Sequence, residues 1–252
     1  MIYDCFTYAG EHDLMKIRME EFMHLTTLQP VTHIIVEGKY TFTGKERLLS
    51  TRKEAEGYNH YWHVVDQEPF TDPWLNERRQ RNVLLDVLKR FEPDDNDIII
   101  ISDVDEIPRA YAVQHYRPEF GLVALQMDMH YYYLNVFSEK NIWILPKIMP
   151  YSYLKERSPE DIRRGGFNYC LFNGGWHFSY QGGLETILRK FQSFSHQEAG
   201  VQAIAKREII ADKLSRLESL WGPQKLNISN MEELPWYVQQ HQQELRHMIY
   251  KP

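Results

Sequence analysis

The sequence is poor in cysteine, lacks any long apolar run and carries no excess of positive charge. It contains two cysteines, Cys5 and Cys170, among 252 residues, so there is no basis for a disulfide framework or a cysteine-rich zinc site. No window approaches the roughly 20 apolar residues that a membrane-spanning helix requires. The net charge of −6 argues against a general nucleic-acid-binding protein, because phosphate recognition depends on clustered Lys and Arg. We therefore expect neither a membrane span nor a nucleic-acid partner.

The composition is that of an ordinary globular protein. Hydrophobic residues make up 43% and charged residues 25%, and a chain of this length buries a substantial core without covalent cross-links. The first residues, MIYDCFTYAGEHD, show no basic segment followed by an apolar one, so they do not resemble a secretory signal peptide. These features predict a cytoplasmic protein, or a catalytic domain separated from its anchor.

Predicted strands alternate with predicted helices through about the first 100 residues. The segments IYDCFTYA, THIIVEG and DIIIIS have the apolar, β-branched character of strands. The segment DPWLNERRQRNVLLDVLKRF begins with an Asp-Pro helix start and places Leu84, Val87, Leu88 and Phe91 on one face. This alternation predicts an α/β fold with a mostly parallel central sheet flanked by helices.

The second half is richer in aromatic residues and less regular. GGLETILRKFQSFSH and VQAIAKREIIADKLSRLESLWG each have the apolar spacing of one amphipathic helix. From about Pro223 the chain is polar and rich in glutamine. We expect residues 1–222 to form one catalytic domain and residues 223–252 a helical or irregular extension packed on it.

Three acidic residues directly follow the most apolar predicted strand. In DIIIISDVDEIPR, four consecutive isoleucines lead to Asp103, Asp105 and Glu106. Ligands of open α/β sheets bind at the carboxyl ends of the strands, where these acids are expected. Asp103 and Asp105 point to the same side of an extended segment and repel each other unless a cation lies between them. The pattern predicts a divalent metal held by both aspartates, with substrate phosphates completing its coordination. A polar turn is the alternative interpretation.

Five segments of the chain, in order, resemble glycosyltransferase family 17, the β-1,4-mannosyl-glycoprotein 4-β-N-acetylglucosaminyltransferase family. DIIIISDVDEIPR is similar to the D-x-D segment of that family. The other four are MIYDCFTYAGEHDLMKIRMEEF, HIIVEGKYTFTGKERLL, ERRQRNVLLDVL and GGWHFSYQGGLETILRKFQSFSHQE. Together they span roughly residues 1–200, and the ordered set is more specific than any single segment.

The resemblance implies a GT-A-like nucleotide-sugar-binding fold and a metal-dependent, inverting glycosyltransferase. Such an enzyme moves a sugar, here N-acetylglucosamine, from a UDP-sugar donor to a glycan or other hydroxyl acceptor, with Mn²⁺ or Mg²⁺ bridging the diphosphate. From the residues alone, two other functions stay open. One is a nucleotidyltransferase or metal-dependent phosphohydrolase, and the other is a carbohydrate-binding protein without activity. The acceptor and the oligomeric state do not follow from the sequence.

Several polar residues are candidates for contacts with the donor. Asp103 is expected to contact both the metal and the nucleotide. The other candidates are Arg or Lys side chains, which suit phosphate, and side chains that suit ribose or uracil. They are Glu37, Lys45, Arg81, Asn82 and Arg164. Each also has an ordinary interpretation as an ion pair or a solvent-exposed polar group.

His177 is the candidate for a third metal ligand. It stands in NGGWHFSYQGG, where glycine pairs permit close approach to a ligand and a neutral imidazole can bind a metal. The alternatives are a buried core histidine beside Trp176, or His196 as the ligand instead. We also expect Trp176 and Tyr131–Tyr133 to form an aromatic platform for sugar rings.

An inverting transferase needs one general base to take the proton of the acceptor hydroxyl. Asp128 interrupts an apolar predicted strand, and Glu185 lies in the first turn of a predicted helix, where capping is its ordinary role. Asp161 is a third candidate, within RSPEDIRRGG. That segment resembles a mobile lid or an acceptor loop, and as a lid it would bring Arg163 and Arg164 over the diphosphate.

Overall fold

The structure, a computed structural model, describes residues 1–26 and 29–251. Its strands are β1 (Ile2–Tyr8), β2 (Val31–Gly38), β3 (His60–Val65), β4 (Ile98–Asp103), β5 (Glu106–Pro108), β6 (Val123–Tyr131), β7 (Val136–Trp143), β8 (Lys147–Pro150), β9 (Tyr169–Ser179) and β10 (Asn227–Ile228). Its α-helices are α1 (His12–Thr26), α2 (Pro73–Leu88), α3 (Ala110–His115), α4 (Tyr151–Leu154), α5 (Pro159–Arg164), α6 (Gly183–Ser193), α7 (Ala199–Ile204), α8 (Arg207–Arg216) and α9 (Trp236–Gln240).

The strands form one sheet in the order β10-β7-β6-β8-β4-β1-β2-β3, with β9 beside β6 and β5 beside β9. On one side, β1 pairs in parallel with β2 and β4, and β2 pairs in parallel with β3. Strand β8 reverses the direction, because it is antiparallel to both β4 and β6, while β9 is parallel to β6. The predicted α/β class, with a central and mostly parallel sheet flanked by helices, is confirmed. A set of antiparallel strands extends it on one side.

Strand β4 is the buried centre of the sheet. Ile99, Ile100 and Ile101 are fully buried between β1 and β8. Alternate isoleucines pack into two different hydrophobic clusters, one containing residues of α2 and the other residues of α3. An unbroken apolar run is stable here because both faces of the strand are covered. The strand is therefore a rigid mount for the acids at its carboxyl end.

The C-terminal residues pack on the rest of the protein. Strand β10 extends the sheet beside β7. Tyr237, Val238 and Leu245 are buried in one cluster with Leu14 of α1 and Trp176 of β9. The boundary after residue 222 stays a prediction. Over the part of the chain that the structure describes, no helix has both the length and the apolar character needed to cross a membrane.

Candidate active site

A buried arginine holds the turn between β4 and β5. Arg18 of α1 donates from Nη1 to the main-chain carbonyl oxygens of Asp103, at 3.1 Å, and Glu106, at 2.7 Å. Its Nε donates to Asp4 Oδ2 at 2.8 Å, and both side chains are fully buried. Burial by itself raises the pKa of Asp4, but the adjacent guanidinium outweighs it and lowers the pKa to about 2. This buried pair fixes the main chain that carries the acids.

Asp103 is enclosed by three donors. Its Oδ1 accepts from Thr7 Oγ1 at 2.7 Å and from Arg81 Nη2 at 3.0 Å. Its Oδ2 accepts from Arg163 Nη2 at 2.8 Å and from Arg81 Nη2 at 3.2 Å. Burial raises the pKa of Asp103, but the two guanidinium groups outweigh this and hold the pKa well below its usual range. Three donor atoms therefore contact its two oxygens, while 27% of the side chain stays exposed.

Glu106 shares Arg163 with Asp103. Arg163 donates from Nη1 to Glu106 Oε2 at 2.7 Å and from Nη2 to Oε1 at 2.6 Å, which makes a bidentate ion pair. Glu106 Oε2 also accepts from the main-chain N–H of Asp103 at 2.7 Å, and Oε1 accepts from Trp143 Nε1. With 1% of its surface exposed, Glu106 links the turn to α5 and to β7.

Asp105 is paired with Lys190 and lies beside His177. Lys190 Nζ donates to Asp105 Oδ2 at 3.0 Å, and His177 Nε2 is 3.7 Å from the same oxygen. Burial raises the pKa of Asp105, but Lys190 and then His177 lower it well below its usual range. His177 of β9 is the register partner of Glu106 in β5, and therefore stands next to the turn. The structure thus brings Asp105 and His177 together, as expected, while their metal-binding role stays a prediction.

Glu11 lies in the turn between β1 and α1, within electrostatic reach of Lys190 and Asp105. Its Oε2 accepts from the main-chain N–H of Ala9 at 2.9 Å. Burial raises the pKa of Glu11, Lys190 opposes that rise and Asp105 adds to it. Because β1 and β4 are adjacent and parallel, Glu11 and Asp105 follow neighbouring carboxyl ends of the sheet. A carboxylate with a raised pKa at this edge is suited to act as a general base.

A cavity of about 630 Å³ opens beside His177. Its walls include the aromatic rings of Tyr131, Trp143, Tyr180 and Trp221. The centroids of the Trp143 and His177 rings are 4.6 Å apart. Both residues contact the turn that carries Asp103, Asp105 and Glu106, called the charged turn below, so the cavity adjoins this turn. Its volume lies within the range of small-molecule sites, and aromatic rings can pack against the apolar faces of sugars. The cavity therefore has the size and the chemistry of a saccharide site.

The expected aromatic platform is present only in part. Tyr131 lines the cavity, but Tyr132 is fully buried in the core. Trp176 precedes His177 in β9, so its side chain lies on the other face of the sheet. There the guanidinium carbon of Arg109 is 3.8 Å from a Trp176 ring centroid. The expectation that Trp176 belongs to the platform is therefore wrong, because strand alternation separates it from His177.

Asp128 is not brought to the charged turn. It precedes Met129 in β6, and Met129 is the register partner of His177, so Asp128 points to the opposite face. Its partner there is Arg109, whose Nη2 lies 3.4 Å from Asp128 Oδ2. The side chain is 45% exposed, although Asp128 stands in an otherwise apolar strand.

The other two candidate bases lie on the surface. Glu185 of α6 is exposed and forms a bidentate ion pair with Arg207 of α8, one contact of which measures 2.9 Å. Asp161 of α5 is exposed and accepts from Arg78 Nη2 at 3.2 Å. The structure therefore places neither carboxylate beside Asp105.

Glu37 and Asn82 have structural partners. Glu37 is fully buried, and Oε1 accepts from the main-chain N–H and the hydroxyl of Ser50, each at 3.1 Å. Its Oε2 accepts from Trp62 Nε1 at 3.1 Å. Asn82 Oδ1 accepts from Ser158 Oγ at 3.0 Å and from a main-chain N–H in the first turn of α5 at 3.1 Å. Glu37 thus fastens the loop after β2, and Asn82 fastens α5.

The predicted cationic contacts divide into buried and exposed groups. Arg81 is buried and pairs with Asp103 and with Glu160. Lys45 is exposed in the loop after β2. Arg164 is half-exposed, pairs with Glu160 and lies outside the charged turn. Arg81 therefore lies beside Asp103, and Lys45 and Arg164 do not join them, while the contacts of all three with a donor stay predictions.

Asp105 and His177 are two predicted metal ligands that the structure brings together, and the ligand role of Asp103 stays a prediction. Small divalent ions use one or two carboxylates, imidazole where available, and substrate phosphates. His177 Nδ1 lies 3.1 Å from Met129 Sδ, which leaves Nε2 on the side of Asp105. Asp103 accepts hydrogen bonds from Thr7, Arg81 and Arg163. Within residues 1–26 and 29–251, no three His, Cys, Asp or Glu side chains are grouped to hold an ion.

His196, the alternative ligand, also borders the cavity but is not beside Asp105. Its ring centroid lies 4.5 Å from that of Trp74, and its Nδ1 is 3.4 Å from Glu198 Oε2. Half of the side chain is exposed. The geometry therefore favours His177 over His196 as a ligand.

Glu11, Lys190 and Trp143 are among the site residues that the sequence patterns did not single out. Glu11 could have been found from the sequence, because it comes shortly after the first strand. The carboxyl end of that strand lies at the same edge of a parallel sheet as the carboxyl end of the strand that carries Asp103. Lys190 stands between Ile187 and Phe191 of the apolar face of α6, a weak signal that the lysine is not simply solvated. No local sequence pattern marks Trp143 as a site residue, because only the pairing of β7 with β6 brings it next to His177.

Comparison with known proteins supports the resemblance. The sequence model of glycosyltransferase family 17 matches residues 1–222. A search of curated protein sequences gave no match. The family match covers most of the chain and includes every residue of the charged turn and of its partners.

Solved structures also align with the chain. One is a protein from Bacillus anthracis assigned as a glucose-1-phosphate thymidylyltransferase, with 12% identity, 70% of this chain and 88% of that chain covered, and a TM-score of 0.36. Another is the galactosyltransferase LgtC in complex with donor and acceptor sugar analogs, with 9% identity, 99% and 97% covered, and a TM-score of 0.36. An active-site mutant of LgtC aligns with 8% identity, 81% and 82% covered, and a TM-score of 0.35.

Proposed function

The chain belongs to glycosyltransferase family 17, and we propose that it transfers N-acetylglucosamine from a uridine diphosphate donor to a saccharide hydroxyl, with inversion. The observation that carries this proposal is the position of Asp105, His177 and Lys190 next to an aromatic-walled cavity of about 630 Å³. Charged groups suited to a diphosphate adjoin a surface suited to a sugar ring.

Asp105 and His177 are the residues that we propose to hold Mn²⁺ or Mg²⁺ together with the donor phosphates. When bound, such an ion supplies positive charge that stabilises the departing nucleoside diphosphate. Arg81 and Arg163 keep Asp103 ionised and fixed, so the turn need not reorganise as negative charge develops on the donor.

The remaining predicted donor contacts fall into direct and indirect roles. We propose that Lys45 and Arg164, which are exposed, contact donor phosphates or the ribose. Glu37 and Asn82 act indirectly, because the first holds the loop that carries Lys45 and the second holds the helix that carries Arg164.

We propose Glu11, rather than Asp128 or Glu185, as the general base. Inversion requires one carboxylate that takes the proton of the acceptor hydroxyl. Glu11 interacts electrostatically with Lys190 and Asp105, and it follows the strand next to β4 at the same edge of the sheet. Its raised pKa makes it a better proton acceptor than an ordinary surface carboxylate.

The two alternative functions fit the site less well. Enzymes that transfer nucleotidyl groups or hydrolyse phosphates often use two metal ions and more carboxylates than this turn offers. No group of three potential ligands occurs in the described residues. A protein that only binds sugar has no need of a buried network of acids and arginines beside its sugar site. Membership of the family favours the transferase.

A thermal-shift screen of nucleotide-sugars with Mn²⁺ tests the proposal. We expect UDP-N-acetylglucosamine to raise the melting temperature more than other donors, because a ligand that binds the folded state stabilises it by mass action. UDP should then be released when saccharides are added. EDTA or Asp105→Asn should lower that rate at least about 100-fold.

Asp95→Asn is the matched control, because Asp95 is exposed and pairs with Lys155 instead of the site. It should behave as the wild type. Stabilisation by free sugars without any nucleotide would support the sugar-binding alternative, and UDP release that ignores both EDTA and Asp105→Asn would overturn the proposed metal role.

A further inference from the structure

Lys190 occupies the position at Asp105 where a metal ion is proposed to bind. Its ammonium group donates to Asp105 Oδ2 at 3.0 Å, and 33% of its side chain is exposed. The ammonium also lies 5.3 Å from the centroid of the Tyr180 ring, which lines the cavity. Lys190 therefore contacts both the Asp105 carboxylate and an aromatic ring of the cavity wall.

A divalent ion and an ammonium group cannot share one carboxylate oxygen without strong repulsion. At separations of about 4 Å, unit charges near a protein surface interact by several kcal/mol, and a double charge interacts more strongly. An ion that binds Asp105 must therefore displace Lys190. The oxygen 3.0 Å from Lys190 is the one that lies 3.7 Å from His177, so the two proposed ligands of the ion and the ammonium group meet at a single point.

Lys190 is able to move, and the cations around Asp103 are not. Lysine has a flexible four-carbon chain and a strongly hydrated ammonium group, and this one is partly exposed. Arg81 and Arg163 are buried, and each binds more than one carboxylate. The exchange between a protein cation and a metal ion is therefore expected at Asp105.

We propose that Lys190 is the counter-ion that a divalent cation displaces from Asp105, and that the displaced ammonium group binds the diphosphate of the donor. This rests on the proposed function, since it assigns a residue to the same metal and nucleotide. It makes Lys190 a donor-binding residue that none of the sequence patterns identified.

Displacement couples the two binding steps. Without nucleotide, the ion has to break the pair between Lys190 and Asp105 with nothing to receive the ammonium group, so it binds weakly. With nucleotide present, the ammonium group finds a new anionic partner. Metal and nucleotide then strengthen each other's binding by the same factor.

The test measures two affinities in wild type and Lys190→Met. Electron paramagnetic resonance reports free Mn²⁺ without nucleotide, and calorimetry reports UDP binding at saturating Mn²⁺. We expect Lys190→Met to bind Mn²⁺ about tenfold more tightly, because the competing charge is gone, and UDP about tenfold more weakly, because one phosphate contact is lost. These opposite shifts are not expected from a variant that is merely less stable.

Two controls accompany this test. Arg189→Met removes a cation from the neighbouring position of α6, where Arg189 is exposed and donates to Thr186 Oγ1 at 3.0 Å, and it should change neither affinity. Asp105→Asn added to Lys190→Met should abolish the gain in Mn²⁺ affinity. Lys190→Gln, which keeps a hydrogen-bond donor, provides the same comparison if Lys190→Met fails to fold.

The outcomes separate this inference from the proposed function. If the wild type binds Mn²⁺ and UDP but Lys190→Met binds Mn²⁺ no more tightly, or UDP no more weakly, the displacement is overturned and the transferase assignment stands. If the wild type binds neither ligand, both are overturned.

Discussion

Asp103, Asp105 and Glu106 lie within four positions, and cations from distant parts of the chain match their charges. Arg163 bridges Asp103 and Glu106, and Lys190 pairs with Asp105. Removing one partner of a buried ion pair is costly, because the other charge stays buried without compensation. The lowered pKa values of Asp103 and Asp105 therefore keep these two acids ionised before any substrate binds.

Glu11→Gln tests the proposed general base. A base must be ionised, so the wild-type rate should fall as the pH drops through the raised pKa of Glu11, and should be constant above it. Glu11→Gln should lower kcat about 100-fold or more and remove this acidic limb, because an amide neither ionises nor accepts the proton. Steady-state kinetics from pH 4 to 9, with the donor saturating, measure both effects.

Asp13→Asn is the control for this experiment. Asp13 lies in the first turn of α1, two positions from Glu11, and its exposed carboxylate contacts His247. It should keep both the rate and the pH profile of the wild type. If Glu11→Gln also keeps them, another carboxylate is the base.

Sequence patterns identified the acids of this site better than their partners. Asp103 and Asp105 are recognisable because they end an apolar strand, and His177 because glycines surround it. Lys190 pairs with an acid 85 positions away, and no local pattern reports such a contact. Asp128 illustrates the opposite error, because its place in an apolar strand suggested burial while the exposed face of that strand accommodates it.

At the scale of elements, helix α5 connects α2 to the charged turn. Glu160 at its start pairs with Arg81, and Arg163 near its end pairs with Glu106. Lys147 Nζ donates to the main-chain carbonyl oxygen of Arg163 at 3.1 Å, which fastens the end of the helix. The segment that resembled a mobile lid thus contains a helix with buried ion pairs in this structure, and its role as a lid stays a prediction.

Glu160→Gln and Asp161→Asn compare two neighbouring acids of α5. Glu160 is 5% exposed and lies between Arg81 and Arg164, so its loss should lower the free energy of unfolding by about 3 kcal/mol. Asp161 is exposed and pairs with Arg78, so its loss should leave the free energy nearly unchanged. Urea denaturation measures both, and equal values for the two variants would show that α5 is not a support.

The helices after β9 show what periodicity can report. The spacing of Ile210, Leu214 and Leu217 predicts one continuous helix for VQAIAKREIIADKLSRLESLWG. The structure has two, α7 and α8, and α8 ends before Leu217, whose φ of 48° is left-handed. The apolar residues on both sides of the break pack into the same cluster, so the spacing survives the interruption. Periodicity identifies a buried face, not the continuity of a helix.

At the scale of the whole molecule, the parallel half of the sheet was predictable and the cavity was not. Alternating strands and helices indicate parallel pairing, because each strand must return in the same direction. The cavity depends on β6 pairing with both β7 and β9, which brings Trp143 and His177 together from positions 34 residues apart. Such long-range pairings leave no trace in a local pattern.

We propose that a nucleotide-sugar binds this molecule with its diphosphate at Asp105 and its sugar in the aromatic-walled cavity. Calorimetric titration of UDP-N-acetylglucosamine in the presence of Mn²⁺ tests it most directly, with Asp212→Asn, a change at an exposed acid of α8, as the control. We predict that Asp105→Asn weakens binding at least about tenfold, because the metal ion loses a carboxylate ligand and holds the donor phosphates less well. The control should bind the donor as the wild type does. Equal affinity of the wild type and Asp105→Asn would contradict the account.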